Sequence, residues 1–217
     1  MPYDLCLFDL DGTLVDPKAG ITKSFQYALS AFEIKEELDG LKKFIGPPLR
    51  ESFKTYGFSD ADTEKAVDKF REYFEETGWF ENTVYPEIPQ TLQRLKGSGK
   101  TLAVATSKVK KYAEKILEHF DLGGYFTFVS GDEMDGSLTK NGKREIIRVA
   151  LKAVDPWRKM PVVMIGDRKH DIIGANETGI DSIGVLWGYG SKDELEAAGA
   201  SLIAQTTDSL CHFINSK

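Results

Sequence analysis

The chain has 217 residues, 41% of them hydrophobic, which is enough for one full core or for a core domain that carries a smaller insert. Its 34 acidic and 28 basic residues give a net charge of −6, so we expect no nucleic-acid polymer as a partner, because such partners require a clustered basic surface. The two cysteines provide no disulfide framework, and no apolar stretch approaches the roughly 20 residues that cross a bilayer, so we predict a soluble, cytoplasmic protein with no membrane partner.

The first predicted strand is the apolar run "LCLF" at 5–8, which ends directly before two carboxylates, Asp9 and Asp11. Residues i and i+2 of a strand face the same side, so these carboxylates would lie side by side and each would disfavour the ionisation of the other. Gly12 and Thr13 follow at once, and a glycine permits a tight turn that lets backbone N–H groups approach an anion. The pattern indicates a functional site in which a positive charge offsets the repulsion.

The segment 16–85 contains helical patterns at 21–32 and 63–76 but no run comparable with the first strand. We therefore predict an all-helical insert, a cap domain, over 16–85. Gly46, which two prolines follow, indicates a turn inside it that could contact a substrate. Arg50 is suited to a second anionic group of that substrate, although a solvated surface arginine fits the sequence equally well.

Beyond the insert, apolar runs alternate with helical periodicities. The runs lie at 101–106, 126–130, 161–166 and 180–185, and the helical patterns at 89–99, 108–120, 143–154, 171–179 and 208–215. Apolar runs without polar alternation are typical of strands buried on both faces of a parallel sheet, and their alternation with helices indicates right-handed crossovers. We predict a doubly wound, Rossmann-like α/β core domain formed by 1–15 and 86–217.

Polar residues follow three of the predicted strands at their carboxyl ends, where open parallel sheets bind ligands. These residues are Asp9, Asp11, Thr106, Ser107, Asp167 and Asp171. Four converging carboxylates need a divalent cation among them, and hard oxygen ligands favour Mg²⁺. Lys143 precedes the 161–166 strand and would lie near the same edge, with Lys140 as the alternative. A magnesium site beside hydroxyls and a lysine is suited to phosphoryl transfer.

Four motifs occur in the order typical of one superfamily: "DLDGT" at 9–13, "VATSK" at 104–108, Lys143, and "GDRKHD" at 166–171. On these motifs, and over essentially its whole length, the chain resembles the haloacid dehalogenase-like phosphatases. The insert is similar to the helical C1 cap of the phosphoglycolate phosphatase-like branch. The stretches "GWFENTVYP" and "MIGDRKHDIIGA" resemble phosphoglycolate phosphatases and 5′-nucleotidases.

The resemblance implies a Mg²⁺-dependent phosphomonoester hydrolase. Asp9 would attack phosphorus and form an aspartyl-phosphate, and Asp11 would act as acid and then as base. Mg²⁺ would be held by the carboxylates of Asp9 and Asp167 and the backbone carbonyl of Asp11. Asp171 would bind it directly or through water, although this residue is also suited to capping its helix. Thr106 and Lys143 would hold the transferring phosphoryl group, and the further substrate-binding candidates are Gly12, Thr13, Ser107, Gly46 and Arg50.

Two other functions fit the predicted fold. Sugar-phosphate mutases of the same superfamily generally carry a histidine shortly after the first motif, and 17–25 contains none. A non-catalytic phosphate-binding module has no need of Asp11. We therefore expect hydrolysis of a small phosphorylated metabolite by a monomer or weak homodimer.

Overall fold

The computed structural model describes residues 2–140 and 142–216, and the chain divides into two compact units. The first unit comprises Met1–Asp16 and Val84–Lys217, and the second comprises Pro17–Thr83. The strands, in chain order, are β1 (Leu5–Phe8), β2 (Val15–Asp16), β3 (Thr83–Val84), β4 (Thr101–Val109), β5 (Phe128–Asp132), β6 (Val162–Gly166), β7 (Asp181–Val185) and β8 (Leu202–Ala204). The helices are α1 (Lys18–Ser30), α2 (Leu38–Leu41), α3 (Leu49–Lys54), α4 (Asp60–Glu76), α5 (Ile88–Gly97), α6 (Lys110–His119), α7 (Arg144–Val154), α8 (Lys169–Thr178), α9 (Lys192–Ala197) and α10 (Thr207–Ser216).

A six-stranded sheet organises the first unit, with its strands in the order β5-β4-β1-β6-β7-β8, while β2 pairs with β3. The pairs of the large sheet are parallel, and Phe8 at the end of β1 lies opposite Val104 of β4 and Ile165 of β6. The predicted doubly wound α/β architecture is confirmed. Because β4 and β6 flank β1 in this register, the residues after all three strands reach the same edge of the sheet.

Burial on both faces explains the unbroken apolar run of β1, whose four residues are fully inaccessible to solvent. Leu5 and Leu7 pack in a cluster with Ile146 and Ile147 of α7. Phe8 meets Phe126 edge to face, with 6.2 Å between ring centroids. The chain can place a carboxylate only where this core ends, and that position is Asp9.

The second unit is built around a cluster of phenylalanines. The Phe25 ring of α1 lies 5.0 Å from that of Phe44, 4.7 Å from that of Phe53 and 5.1 Å from that of Phe70. Ser59 begins α4 as its N-cap, since its hydroxyl accepts a hydrogen bond from the backbone N–H three residues on. Across 2–140 and 142–216, every helix is too short or too polar for a membrane span.

Candidate active site

Three carboxylates converge where the central strands of the first unit end. Asp9 follows β1, Asp167 follows β6, and Asp171 lies in the first turn of α8. Each offers one oxygen, and these oxygens lie within 4.8 Å of one another. The side chains are almost completely buried, so their mutual repulsion is weakly screened by water. The structure thus brings together three of the four carboxylates that the sequence placed at this edge.

Lys143 supplies positive charge to this cluster from the residue before α7. Its Nζ lies 2.8 Å from Asp9 Oδ1 and donates a hydrogen bond to Asp171 Oδ1, and the lysine is only 3% exposed. Burial by itself lowers the pKa of Lys143, but the carboxylates of Asp171 and Asp9 outweigh it, and the net shift is upward. Lys143 therefore stays charged, whereas Lys140 lies on the surface.

Asp171 has the capping role that the sequence allowed, and it also forms an ion pair with Lys143. Its Oδ2 accepts a hydrogen bond of 3.0 Å from the Arg168 backbone N–H, so it caps α8, while its Oδ1 accepts from Lys143. Burial raises the pKa of Asp171 to about 6, against the attraction of Lys143. A β-carbon on Gly166 would lie 2.1 Å from the Asp171 carboxyl carbon, so only glycine fits there. Direct binding of a metal by Asp171 stays a prediction.

Asp167 is held by the chain that surrounds it. Its Oδ2 accepts a hydrogen bond of 2.7 Å from the Tyr189 backbone N–H, and Thr13 Oγ1 lies 3.4 Å from its Oδ1. A β-carbon on Gly12 or Gly188 would fall 2.2 or 2.4 Å from Oδ2, so both positions require glycine. Burial, reinforced by the negative charges of Asp171 and Asp9, raises the pKa of Asp167 to about 8.

Asp11 lies outside the cluster of three carboxylates and forms an ion pair with a different lysine, Lys108. The Lys108 ammonium donates a 2.5 Å hydrogen bond to Asp11 Oδ2. The other oxygen, Oδ1, is buried and has no hydrogen-bond partner among residues 2–140 and 142–216. Burial raises the pKa of Asp11, and Lys108 opposes that rise. Lys108 is not among the site residues expected from the sequence, although it is the last residue of the "VATSK" motif.

Thr106 and Ser107 lie where β4 departs from regular pairing, between Ala105 and Val109. Thr106 is 1% exposed, and its Oγ1 accepts a hydrogen bond of 3.2 Å from the Lys108 N–H, while Ser107 is half-buried. Thr106 therefore stands at the same sheet edge as the carboxylates. Contact of these hydroxyls with a phosphoryl group stays a prediction.

A second feature that sequence reasoning missed is the loop Trp187–Gly190 after β7. The Trp187 indole N–H donates a 3.0 Å hydrogen bond to the Thr13 carbonyl, and the Tyr189 hydroxyl donates to Asp16. Gly12, whose φ of +83° suits glycine, completes the turn beside this loop. A signal was available, because the loop follows the apolar run at 180–185 and so reaches the edge that carries the other site residues.

Gly46 and Arg50 belong to the second unit. There the Arg50 guanidinium forms a bidentate ion pair with Glu64, with distances of 2.6 Å from Nε to Oε1 and 2.9 Å from Nη2 to Oε2. A substrate-binding role for either residue stays a prediction.

The donor set at the sheet edge fits a divalent cation. Asp9, Asp167 and Asp171 offer hard oxygen ligands within a few ångströms, and their mutual repulsion is only partly offset by Lys143. The pKa of Asp167 is raised first by burial and then by the negative charges of Asp171 and Asp9, and a bound cation would oppose both effects. These residues are therefore suited to hold Mg²⁺.

Comparison with known proteins gives consistent matches. The family model for haloacid dehalogenase-like hydrolases matches residues 6–185. A 5′-nucleotidase of Pseudomonas aeruginosa is 47% identical over 90% of this chain and 88% of its own length. The tyrosine-protein kinase PtkA of Mycobacterium tuberculosis is 36% identical over 95% of this chain and 70% of its own length. The crystal structure of a predicted phosphatase from Clostridium acetobutylicum superposes with a TM-score of 0.91, at 44% identity and over 97% of each chain.

Proposed function

We propose that this chain, which belongs to the haloacid dehalogenase-like hydrolase family, hydrolyses phosphate monoesters of small metabolites with the help of Mg²⁺. The resemblance noted from the motifs and the assignment as a phosphatase are confirmed by the family match and the named relatives. One observation carries the finer proposal. Two carboxylates, Asp9 and Asp11, stand two residues apart with side chains that are only 12% and 13% exposed, and they pair with different lysines, Lys143 and Lys108.

Asp9 is the proposed nucleophile in the first half-reaction. A carboxylate oxygen of Asp9 attacks phosphorus as the bond from phosphorus to the leaving oxygen breaks, which gives an aspartyl-phosphate. Asp11 gives its proton to the leaving oxygen, so the product departs as an alcohol and Asp11 becomes a carboxylate. Lys143 and Thr106 hold the transferring phosphoryl oxygens.

Water reacts in the second half-reaction. The Asp11 carboxylate accepts a proton from a water molecule as that water attacks phosphorus. The bond between phosphorus and the Asp9 oxygen breaks, inorganic phosphate leaves, and both aspartates return to their starting states. Asp9, Asp167, Asp171 and the Asp11 carbonyl are the proposed ligands of Mg²⁺. When bound, this ion neutralises phosphoryl charge and lowers the repulsion between the nucleophile and its target.

Candidate substrates are small monoesters of aliphatic alcohols. Nucleoside 5′-monophosphates come first because of the name of the Pseudomonas relative, and phosphoglycolate follows from the motif resemblance. Segment 16–85 is the proposed cap, and Arg50 within it the proposed reader of a second anionic group. We still expect a cytoplasmic protein, and the two buried free cysteines are consistent with that location. We also still expect a monomer or weak homodimer.

Replacement of the nucleophile tests the mechanism. Asp9→Asn should abolish phosphate release and the trapping of a phosphorylated peptide containing residue 9 by mass spectrometry. Asp4→Asn is the matched control, since Asp4 precedes the same strand with a side chain that is 57% exposed. It should behave as wild type. Turnover retained in Asp9→Asn would contradict the covalent route.

The same assays separate the alternatives. A sugar-phosphate mutase would interconvert phosphate esters without releasing phosphate, and a binding module would bind esters without changing them. One relative is named a tyrosine-protein kinase, so incubation with labelled ATP is a further arm. Label recovered on tyrosine, with no phosphate released from monoesters, would replace hydrolysis by kinase chemistry.

A further inference from the structure

We propose that Lys108 is a positioning residue that orients Asp11, so that one defined oxygen of this carboxyl group exchanges protons with the substrate and with water. The inference rests on the proposed function and deepens it. Lys108 lies in the "VATSK" motif, but none of the roles assigned to the motif residues above falls to it.

The contact itself is the first observation. Lys108 Nζ lies 2.5 Å from Asp11 Oδ2, and the two side chains are only 8% and 13% exposed. The Asp11 oxygen Oδ1 is buried without a hydrogen-bond partner in the described part of the chain. A buried oxygen without a partner costs free energy unless a ligand meets it. Lys108 therefore selects which oxygen is occupied and leaves Oδ1 for the reacting groups.

The backbone of β4 is shaped to deliver this lysine. Ala105 lies opposite Ser130 and Val109 opposite Asp132, so four steps along β4 match only two along β5. The extra residues form an irregularity that takes 106–108 out of the regular ladder, and bulges of this kind redirect side chains. The Lys108 N–H closes the distortion by donating to Thr106 Oγ1 at 3.2 Å. The same distortion thus sets both Thr106 and Lys108.

The neighbouring strand is adapted to the distortion. A β-carbon on Gly131 of β5 would lie 2.8 Å from the Lys108 carbonyl oxygen and 2.6 Å from the Lys110 α-carbon. These are backbone atoms that cannot rotate away, so only glycine lets the irregular segment approach β5. The fold thus uses a special backbone geometry and a glycine to bring one buried lysine to Asp11.

Lys108 and Lys143 form ion pairs with different aspartates of the site. Lys143 already pairs with Asp9 and Asp171, and a lone carboxylate at Asp11 would be drawn towards that ammonium. Lys108 gives Asp11 a separate partner and holds it apart from the nucleophile. In the reaction Oδ1 gives its proton to the leaving oxygen and later takes one from water, while Oδ2 stays bound to the Lys108 ammonium.

Dependence on the leaving group tests this role. Alkoxides are poor leaving groups that need a proton from Asp11, whereas p-nitrophenolate departs without one. We would measure kcat/KM for a sugar phosphate, which has no second anionic group, for p-nitrophenyl phosphate and for phosphoglycolate. The variants are Lys108→Met and the charge-retaining Lys108→Arg. Lys110→Met is the control, because Lys110 forms a partly exposed ion pair with Glu114.

In Lys108→Met, kcat/KM for the sugar phosphate should fall roughly 100-fold or more, the range for loss of a positioned acid. The value for p-nitrophenyl phosphate should fall at least about ten-fold less. A burst of p-nitrophenol should appear, since hydrolysis of the aspartyl-phosphate still needs Asp11 as base. Lys108→Arg should recover part of the loss on the sugar phosphate, and Lys110→Met should match wild type.

Equal losses on both substrates, or no loss in Lys108→Met, would overturn the assignment. A loss confined to phosphoglycolate would also overturn it, because Lys108 would then bind the second anionic group of a substrate. If Lys108→Met does not fold, Lys108→Arg decides. Its ratio of the two kcat/KM values should shift against the sugar phosphate, and an unchanged ratio would refute the role. Failure of the proposed function is distinguishable, because wild type would then release no phosphate from either ester.

Discussion

Removal of Mg²⁺ should make the stability of the protein fall as the pH rises from about 5 to about 7, because a buried aspartic acid then has to ionise. Burial and the neighbours Asp171 and Asp9 raise the pKa of Asp167 to about 8. An aspartate in an unfolded chain has a pKa of about 3.9. Between these values the folded state binds one proton more than the unfolded state. The stability that this proton contributes is complete below the unfolded pKa, falls between the two pKa values, and is fully lost above the folded pKa.

The magnitude follows from proton linkage. One extra bound proton changes the free energy of unfolding by about 1.4 kcal/mol per pH unit, so two units cost about 3 kcal/mol. For a chain of this length that corresponds to a melting temperature lower by roughly 6–12 °C. Asp171, whose pKa is raised to about 6, adds to the loss in the lower part of the interval.

Thermal unfolding in EDTA at pH 5, 6 and 7 measures the effect, with wild type and Asp167→Asn side by side. The substitution removes the titrating group, so the pH slope of Asp167→Asn should be flatter by about 1.4 kcal/mol per unit. Saturating Mg²⁺ should flatten the wild-type slope, because the cation binds the ionised carboxylate. Equal slopes for the two proteins in EDTA would show that Asp167 is ionised when folded and would refute the reasoning.

Three further predictions concern single residues. Gly188→Ala puts a carbon 2.4 Å from Asp167 Oδ2 and should lower kcat/KM at least about 100-fold. Wild-type kinetics in this variant would show that the loop moves to accommodate the added carbon. Ser59→Ala removes a helix cap and should cost about 1 kcal/mol in urea unfolding, and no change would mean that water replaces the hydroxyl. Arg50→Gln breaks the exposed pair with Glu64 and should change stability by less than about 1 kcal/mol. We expect it to change the ratio of kcat/KM between phosphoglycolate and p-nitrophenyl phosphate, and a uniform loss on both would contradict a role in substrate choice.

The sequence predicted the parts of the fold that follow from hydrophobic pattern alone. The run at 5–8 is apolar at every position because β1 is buried on both faces, and the carboxylate at Asp9 marks where that core ends. The order of strands and helices then fixed which ends converge. The strand β8 was missed because its three residues are too few to show a period.

The rest of the site depends on backbone geometry that no residue pattern reports. Lys108 contacts Asp11 from the distorted part of β4. The alternation of a regular strand does not predict the direction of a side chain at such a distortion. In the structure, Gly131 of β5 packs against this irregular segment. The loop at Tyr189 was accessible to the rule applied to the other strand ends, since it follows an apolar run at the same edge.

Phosphate release with Mg²⁺ and after its removal by EDTA tests the central claim most directly. The panel comprises phosphoglycolate, nucleoside 5′-monophosphates, a sugar phosphate, pyrophosphate and p-nitrophenyl phosphate. We predict release from monoesters that disappears in EDTA and returns when Mg²⁺ is restored. A folded wild-type protein that releases no phosphate from any member, or releases it equally well in EDTA, would contradict the account.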